Sequence, residues 1–270
     1  MNKAWRWLIL AAVAALVLLP LVATVLGGFK TLGGLRMQPL GLPEVWQWQN
    51  HGGILSSARF WRQLGNSVLI AGLTVALTLV VSALAAFAFV RLRVPLARQL
   101  LGYLLLGLLF PAATAVLPLF IRIRDLGLLD SPWGVVLPQV AFGLATALLL
   151  LRNAFSALPA ELFEAAVMDH CSPWRCFTRI VLPLSRPILA TVAVITAVQS
   201  WNAYLLPLVV LNRESLYPWP LGLMAYQGEF STDWQLVLAF VTLTLLPMVL
   251  LFLLAQRHIV AGLTAGAVKG

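Results

Sequence analysis

Glu164, Asp169, His170, Cys171, Arg175, Cys176 and Arg179 crowd into one stretch, EAAVMDHCSPWRCFTRIVLPLSRP at positions 164–187. Elsewhere these residue types hold metals or move protons, but the spacing here suits neither. A metal would need two ligands beyond Cys171 and Cys176, and neighbouring His170 alone does not supply them. Both thiols therefore read as reduced and structural, and a disulfide would be out of place in a reducing compartment. The histidines, His51, His170 and His258, are scattered outside the apolar runs of the chain and form no acid–base set. No glycine-rich phosphate loop ending in Gly-Lys-Ser or Gly-Lys-Thr occurs, so this chain has no nucleotide cradle of its own. What remains for the stretch is surface packing, with small alanines and apolar residues at helical spacing: an interfacial helix pair lying on this protein's own bundle, or a surface that another protein meets.

The elements that position it are membrane helices. Of 270 residues, 61% are hydrophobic and 10% charged, where a soluble domain carries about 25% charged residues. Six apolar runs, Leu8–Gly27, Ser67–Val90, Leu100–Phe120, Gly134–Leu151, Ile188–Val210 and Leu236–Ala255, approach the ~20 residues that cross a bilayer as a helix. The runs are continuous rather than alternating, which excludes a β-barrel. The expected fold is an all-α integral membrane protein with six transmembrane helices. The first run is too long for a signal peptide core and is read as retained. A charge at the bilayer centre costs about 2.5–3.5 kcal/mol, so the 164–187 stretch must lie in water between two spans.

Charge sets the orientation. The net charge of +9 resides in short loops beside apolar runs, which explains it without nucleic acid. With the N-terminus inside, Lys3, Arg6, Arg91, Arg93, Arg98, Arg152, Arg175, Arg179, Arg186, Arg257 and Lys269 are cytoplasmic, and the acid-rich segment around Glu214, Glu229 and Asp233 is outside. Both termini are then cytoplasmic and the loop 152–187 faces the cytoplasm. Residues 1–62 form the first span and first outer loop, residues 63–270 the main membrane domain, and residues 256–270 a cytoplasmic tail without apolar periodicity in its glycine-rich part. Pro20, Pro111, Pro118, Pro138, Pro207 and Pro247 fall within the runs and predict kinks. Trp5, Trp7, Trp61, Trp133 and Trp234 fall near span ends, as interfacial anchors do.

Within the loop, Pro159 suits a first helical turn, and Glu161 and Glu164 favour the N-terminal half of that helix. Leu162, Phe163, Ala166 and Val167 share a face at helical spacing. Ser172-Pro173 then pairs an N-cap residue with proline at the first helical position, starting a second short helix. That helix carries Trp174, Phe177, Ile180 and Val181 and ends at Leu182-Pro183. The result is a cytoplasmic helix–turn–helix in which Ala165 and Ala166 permit close approach of another surface.

Glu164-Ala165-Ala166 followed at fixed spacing by Ile180, Leu182 and Pro183 resembles the coupling loop of ABC-type importer permeases. Asn66-Ser67, the run Ala85–Arg93, the segment Trp201–Leu208 and the ending QRHIVAGLTAGAVKG resemble the carbohydrate importers, in particular the smaller permease of the maltose system. The resemblance covers about residue 60 to the C-terminus. It implies that Glu164, Ala165, Ala166, Asp169, His170, Ile180, Leu182 and Pro183 meet an ATPase subunit. His170 stands where that family usually has glycine, which puts the construction of the turn in question, since a left-handed residue with a side chain costs about 1–2 kcal/mol. The resemblance also implies a second homologous permease, two ATPase subunits that bind ATP and Mg, and an extracytoplasmic solute-binding protein, with no cofactor in this chain.

Transport by alternating access, of a di- or oligosaccharide, is the implied activity. Glycerol 3-phosphate or another polyol is the alternative within the same machinery. An ion-gradient transporter fits less well, since such proteins place ionisable groups within spans and these spans have essentially none. Trp201, Asn202 and Tyr204 are candidates for the translocation path, with Asn202 facing either that path or a neighbouring helix. Tyr226, Gln227 and Gly228 lie in an outer loop that in relatives probes the binding protein, and that otherwise reads as an ordinary solvated loop. The resemblance implies the inner membrane of a bacterium or archaeon.

Overall fold

A computed structural model describes residues 3–92, 94–109 and 111–267, with side chains through 256. In chain order the helices are α1 (Lys3–Gly28), α2 (Leu32–Met37), α3 (Trp48–Leu55), α4 (Ala58–Arg91), α5 (Ala97–Leu105), α6 (Val116–Asp125) and α7 (Pro132–Ser156). There follow α8 (Ala160–Met168), α9 (Pro173–Cys176), α10 (Leu182–Leu184), α11 (Arg186–Trp201), α12 (Leu205–Val210), α13 (Trp219–Gly222) and α14 (Trp234–Ala267). The described residues contain no strand beyond one isolated antiparallel bridge, Gln227 to Thr232.

Four helices are long and apolar enough to cross a membrane: α1, α4, α7 and the Trp234–Gln256 part of α14. Two broken pairs, Ala97–Leu109 with Ala112–Asp125 and Pro173–Leu184 with Arg186–Trp201, raise the number to 6 if each is one span. Two of the six apolar runs are therefore not the continuous helices expected. The third is interrupted by Pro111, which is extended at φ −71° and ψ 122°. The fifth stops at Trp201 and restarts at Leu205. Pro207 lies in the first turn after that restart, where its missing N–H is no loss and its ring meets no carbonyl four residues back. Pro20, Pro138 and Pro247 by contrast lie inside continuous helices. The segment expected as a tail also differs, since α14 continues to Ala267. Arg93 and Lys269, used for orientation, lie outside the described residues.

The chain packs as two compact units, Met1–Leu64 with Leu221–Val249, and Gly65–Pro220 with Leu250–Gly270. In the first, α1 exposes apolar side chains all round, as a helix in hydrocarbon does. The outer loop after it is ordered by its own contacts. Asn50 Nδ2 donates to the Gly28 and Lys30 carbonyls, both at 3.0 Å, and Phe29 stacks on His51 with ring centroids 4.1 Å apart.

The second unit has two apolar cores. One joins Ala83, Ala86 and Phe87 of α4 to Leu148, Leu151 and Phe155 of α7, and to Cys176, Phe177, Val181 and Val192. Alanines on α4 let the bulky side chains of α7 approach closely, which is how helices associate where the hydrophobic effect is absent. The other core gathers Ile70, Ile123, Val135, Val136, Val210 and Leu211. At its edge, Asn66 Nδ2 donates to the Ser215 carbonyl at 2.9 Å and the Tyr217 carbonyl at 3.1 Å, and Ser67 Oγ accepts the Trp219 N–H at 2.8 Å. The Asn66-Ser67 pair thus fastens the segment after α12 to the start of the α4 span.

Candidate functional site

The charged stretch folds as two short helices with opposed faces. Helix α8 starts behind Pro159 and carries Glu161 in its first turn. It ends in a paired cap: Cys171 N–H donates to the Ala166 carbonyl at 2.8 Å, and His170 N–H to the Val167 carbonyl at 3.0 Å. This is the Schellman arrangement, which calls for a left-handed residue at its turn. His170 takes that conformation, with φ 51°. The left-handed turn is therefore built with a side chain in place, at a cost of about 1–2 kcal/mol. Ser172 Oγ then caps α9 by accepting the Arg175 N–H.

After α9 the helix widens into a π turn, Phe177–Val181, closed by the Leu182 N–H donating to the Phe177 carbonyl. Pro183 can offer no N–H of its own, and the wider turn leads into it without an interior kink. The helical stretch ending at Leu184 meets α11 at an angle of 77°.

One face of this element is inside the core: Cys176, Phe177 and Val181 are buried there, with Phe163, Ile180 and Leu182 packed against that core, and Ala166 is buried too. The other face is open. Glu164, Ala165, Asp169, His170 and Pro183 are exposed, and so are Val167 at 71%, Met168 at 80% and Trp174 at 64%. Leu162 and Val167, expected from the spacing to share a face with Phe163 and Ala166, are instead exposed. The helix is only nine residues long, and its buried stripe is the narrower pair Phe163 and Ala166.

Arg91, the last residue of α4, locks this element to the spans. Its Nη2 donates to the Phe155 and Leu158 carbonyls, each at 3.3 Å, serving the carbonyls at the end of α7 that have no helical partner. Its guanidinium lies over the Phe163 ring, 3.3 Å from the centroid. Sequence reasoning used Arg91 as a charge marking the cytoplasmic side and as part of the Ala85–Arg93 run, and not as a contact of this loop. Its position directly after an apolar run was the available signal.

Higher in the same unit lies a cavity of about 460 Å³, bordered by α4, α7, α11 and the α11–α12 break. Its polar centre is Gln139, whose Oε1 accepts from Thr74 Oγ1 at 3.1 Å and from Ser200 Oγ at 2.6 Å. The amide nitrogen, Nε2, is buried with no partner. Of the residues predicted for the translocation path, Tyr204 lines this cavity. Trp201 is buried and its carbonyl accepts from Trp219 Nε1 at 2.7 Å. Asn202 turns back on its own helix, Nδ2 donating to the Val198 carbonyl at 2.9 Å.

Tyr226, Gln227 and Gly228 belong to the other unit, in a tight reversal. The Gly228 N–H donates to the Ser231 carbonyl at 2.8 Å and the Asp233 N–H to the Tyr226 carbonyl at 3.0 Å. The Tyr226 ring packs 5.5 Å from that of Phe240, and burial there raises the phenol above its usual range. Phe230, at the turn's tip, is 95% exposed.

A clasp closes the turn between α6 and α7. The Asp130 carboxylate accepts the N–H of Asn212 at 2.6 Å and of Arg213 at 2.9 Å. The Arg213 and Asn212 N–H groups hold its carboxyl below the usual range, assisted by the Arg213 guanidinium. A depressed carboxyl stabilises the fold above its unfolded value of about 3.9 and loses that stabilisation as pH falls through the lower folded value. The clasp is thus fully formed at neutral pH. The difference in apparent Tm between the wild type and Asp130→Asn should be constant from pH 7 to 5 and shrink below about pH 4. A difference that does not change with pH would remove the carboxylate from this role.

Comparison with known proteins places the chain. Residues 78–264 match the family described as binding-protein-dependent transport system inner membrane component. The chain is 40% identical over 210 residues to the sn-glycerol-3-phosphate transport system permease protein UgpE of Escherichia coli O1:K1, covering 77% of this chain and 74% of that one. It is 34% identical over 231 residues to the trehalose transport system permease protein SugB of Mycobacterium tuberculosis, covering 85% and 84%. In fold it is similar to a chain of a bacterial ABC transporter involved in the import of the acidic polysaccharide alginate, with a TM-score of 0.81 at 22% identity over 96% of this chain and 99% of that one. The chain belongs to the binding-protein-dependent transport system inner membrane components, the permease subunits of ABC transporters.

Proposed function

We infer that this permease forms one half of the membrane path of an ATP-driven sugar importer, and that α8 and α9 are where the ATPase grips it. The observation that carries this reading is the two-faced loop. One face is keyed into the core shared with α4, α7 and α11. The other presents Val167, Met168 and Trp174, three large apolar side chains, to the outside beside Glu164 and Asp169. Exposed apolar side chains grouped with charges mark a protein contact, and a rigid element fixed at its back transmits what is done to its front.

In this arrangement Glu164, Ala165, Asp169 and His170 form the docking edge, Ala166 is the small buried residue that seats the helix behind them, and Ile180, Leu182 and Pro183 carry its movement into α11. ATP and Mg bind a separate subunit, present in two copies, and a second homologous permease completes the path. Both termini and the loop are cytoplasmic. An extracytoplasmic binding protein delivers the solute and meets Tyr226, Gln227 and Gly228. The cargo class follows the relatives, one serving trehalose and one glycerol 3-phosphate.

Glu164→Ala should lower binding-protein-stimulated ATP hydrolysis about 10-fold, equivalent to about 1.4 kcal/mol, and weaken ATPase retention on purified permease. The measurement is co-purification of the tagged permease with its genomic ATPase, followed by phosphate release in proteoliposomes. Unchanged retention and unchanged stimulated hydrolysis in both Glu164→Ala and Val167→Asp would overturn the docking assignment.

A further inference from the structure

The cavity beside the α11–α12 break has no role in the docking argument, and its chemistry is specific. Its wall is mostly apolar, interrupted by the hydroxyls and amides of Thr74, Gln139, Thr146, Gln199, Ser200 and Tyr204. A few fixed polar groups on an apolar wall is the usual make-up of a small-molecule site. Among the described residues that line it, none is lysine, arginine, histidine, aspartate or glutamate.

The Gln139 carboxamide is held rather than free. Thr74 on α4 and Ser200 on α11 both donate to its Oε1, which fixes the plane of the amide between three helices. Its Nε2 carries two N–H donors and has no partner, although it is buried. A buried amide nitrogen without an acceptor is costly, and nothing among the described residues relieves it. An entering hydroxyl oxygen would. Tyr204, beside the break, adds a ring and a further hydroxyl to the same wall.

We propose that this cavity is a solute subsite belonging to this chain, that Gln139 is its central hydrogen-bonding residue, and that it takes an uncharged, hydroxyl-rich solute: a neutral saccharide rather than a phosphorylated polyol. The proposal rests on the importer reading above and narrows its substrate class. A phosphate brought against this wall would lose its water and find no cation, and burial of an unpaired charge costs far more than burial of a hydroxyl that finds a donor. The wall therefore disfavours glycerol 3-phosphate despite the 40% identity to a permease for that solute.

The test uses the complete transporter, assembled with its genomic partners in proteoliposomes. ATP-driven uptake is measured for trehalose, maltose, cellobiose, raffinose and glycerol 3-phosphate. The expected result is uptake of at least one neutral saccharide, with a half-saturating concentration that rises about 5- to 10-fold in Gln139→Leu while the maximal rate stays within about twofold. Ser200→Ala should give a smaller rise of the same kind, and it keeps the question answerable if Gln139→Leu does not assemble. Saccharide uptake with unchanged half-saturation in both variants overturns the subsite and leaves the importer standing. Uptake of glycerol 3-phosphate and of no saccharide overturns the neutral-solute assignment alone. ATP-independent uptake driven by an ion gradient overturns the importer reading, and the subsite proposal with it.

Discussion

Replacing Arg91 with alanine is expected to cost about 2–4 kcal/mol of stability and to cut ATP-driven transport at least 10-fold. The residue makes three contacts, on the end of α7, on the link after it and on α8. Its guanidinium donates to the Phe155 and Leu158 carbonyls at the end of α7, and it lies on the Phe163 ring of α8. Hydrogen bonds from a charged donor contribute about 1.5–3 kcal/mol, and a partly desolvated cation on a ring about 0.5–2 kcal/mol. Alanine removes all of these and leaves two carbonyls without partners. Because α8 is the element proposed to dock the ATPase, loosening it from α4 and α7 should also separate hydrolysis from transport. Lysine separates the two effects. It retains a positive charge but not the planar fork or the stack, so Arg91→Lys should recover part of the thermal stability and little of the transport per ATP hydrolysed. Phe163→Leu removes the stack alone, and a double-mutant cycle with Arg91→Lys should give a coupling of about 0.5–2 kcal/mol. Thermal unfolding in detergent and the transport-to-hydrolysis ratio are the readouts. An Arg91→Ala protein that melts and transports like the wild type would show that the contact does not bear on the spans.

The apolar runs announced α1, α4, α7 and most of α14 because a spanning helix satisfies its backbone internally and needs nothing from its neighbours. The breaks were harder to see. Pro111 and Pro207 predicted kinks, but a kink and a break have the same local signal, and what separates them is whether neighbouring elements complete the backbone bonding. Asn202 was read as facing a path or another helix, and the structure adds a bond from its Nδ2 to the Val198 carbonyl of its own helix, which residue type alone does not announce. The turn at His170 reads against propensity, and the paired bonds of Cys171 and His170 to the Ala166 and Val167 carbonyls explain how it holds. The Gln139 cluster was invisible for a different reason. Thr74, Gln139 and Ser200 come from three runs and are separated by 65 and 61 positions. Singly each is an ordinary polar residue in a span, and only their convergence gives them meaning. The outer loop after α1 showed nothing in sequence, since its order comes from ring stacking and from Asn50 reaching back across 20 residues or more.

Gly134→Ala should be among the most damaging single-methyl changes in the molecule, costing roughly 3 kcal/mol. Gly134 sits in the first turn of α7, just after Ser131, whose Oγ caps the helix. A Cβ there would collide with the Leu128 carbonyl oxygen and lie 2.8 Å from Val210 Cγ1 and 3.2 Å from Ile123 Cγ2. The Leu128 oxygen is backbone and cannot rotate away. It is held in a turn whose N–H at Leu128 donates to the Ile123 carbonyl at 3.0 Å. Ile123 and Val210 are buried members of the same apolar core, so neither has an empty rotamer to adopt in a close-packed interior. Relief requires α7 to move away from both α6 and α12, which would also pull on the Asp130 clasp to Asn212 and Arg213. Gly72 is the control. A Cβ there meets nothing within 4 Å, and within a helix alanine is favoured over glycine by about 1 kcal/mol. Gly72→Ala should therefore melt at or slightly above the wild type while Gly134→Ala melts well below it. Equal melting of the two alanine variants would mean that α7 has slack at its first turn, and that the close approach at Gly134 does not hold α7 against its neighbours.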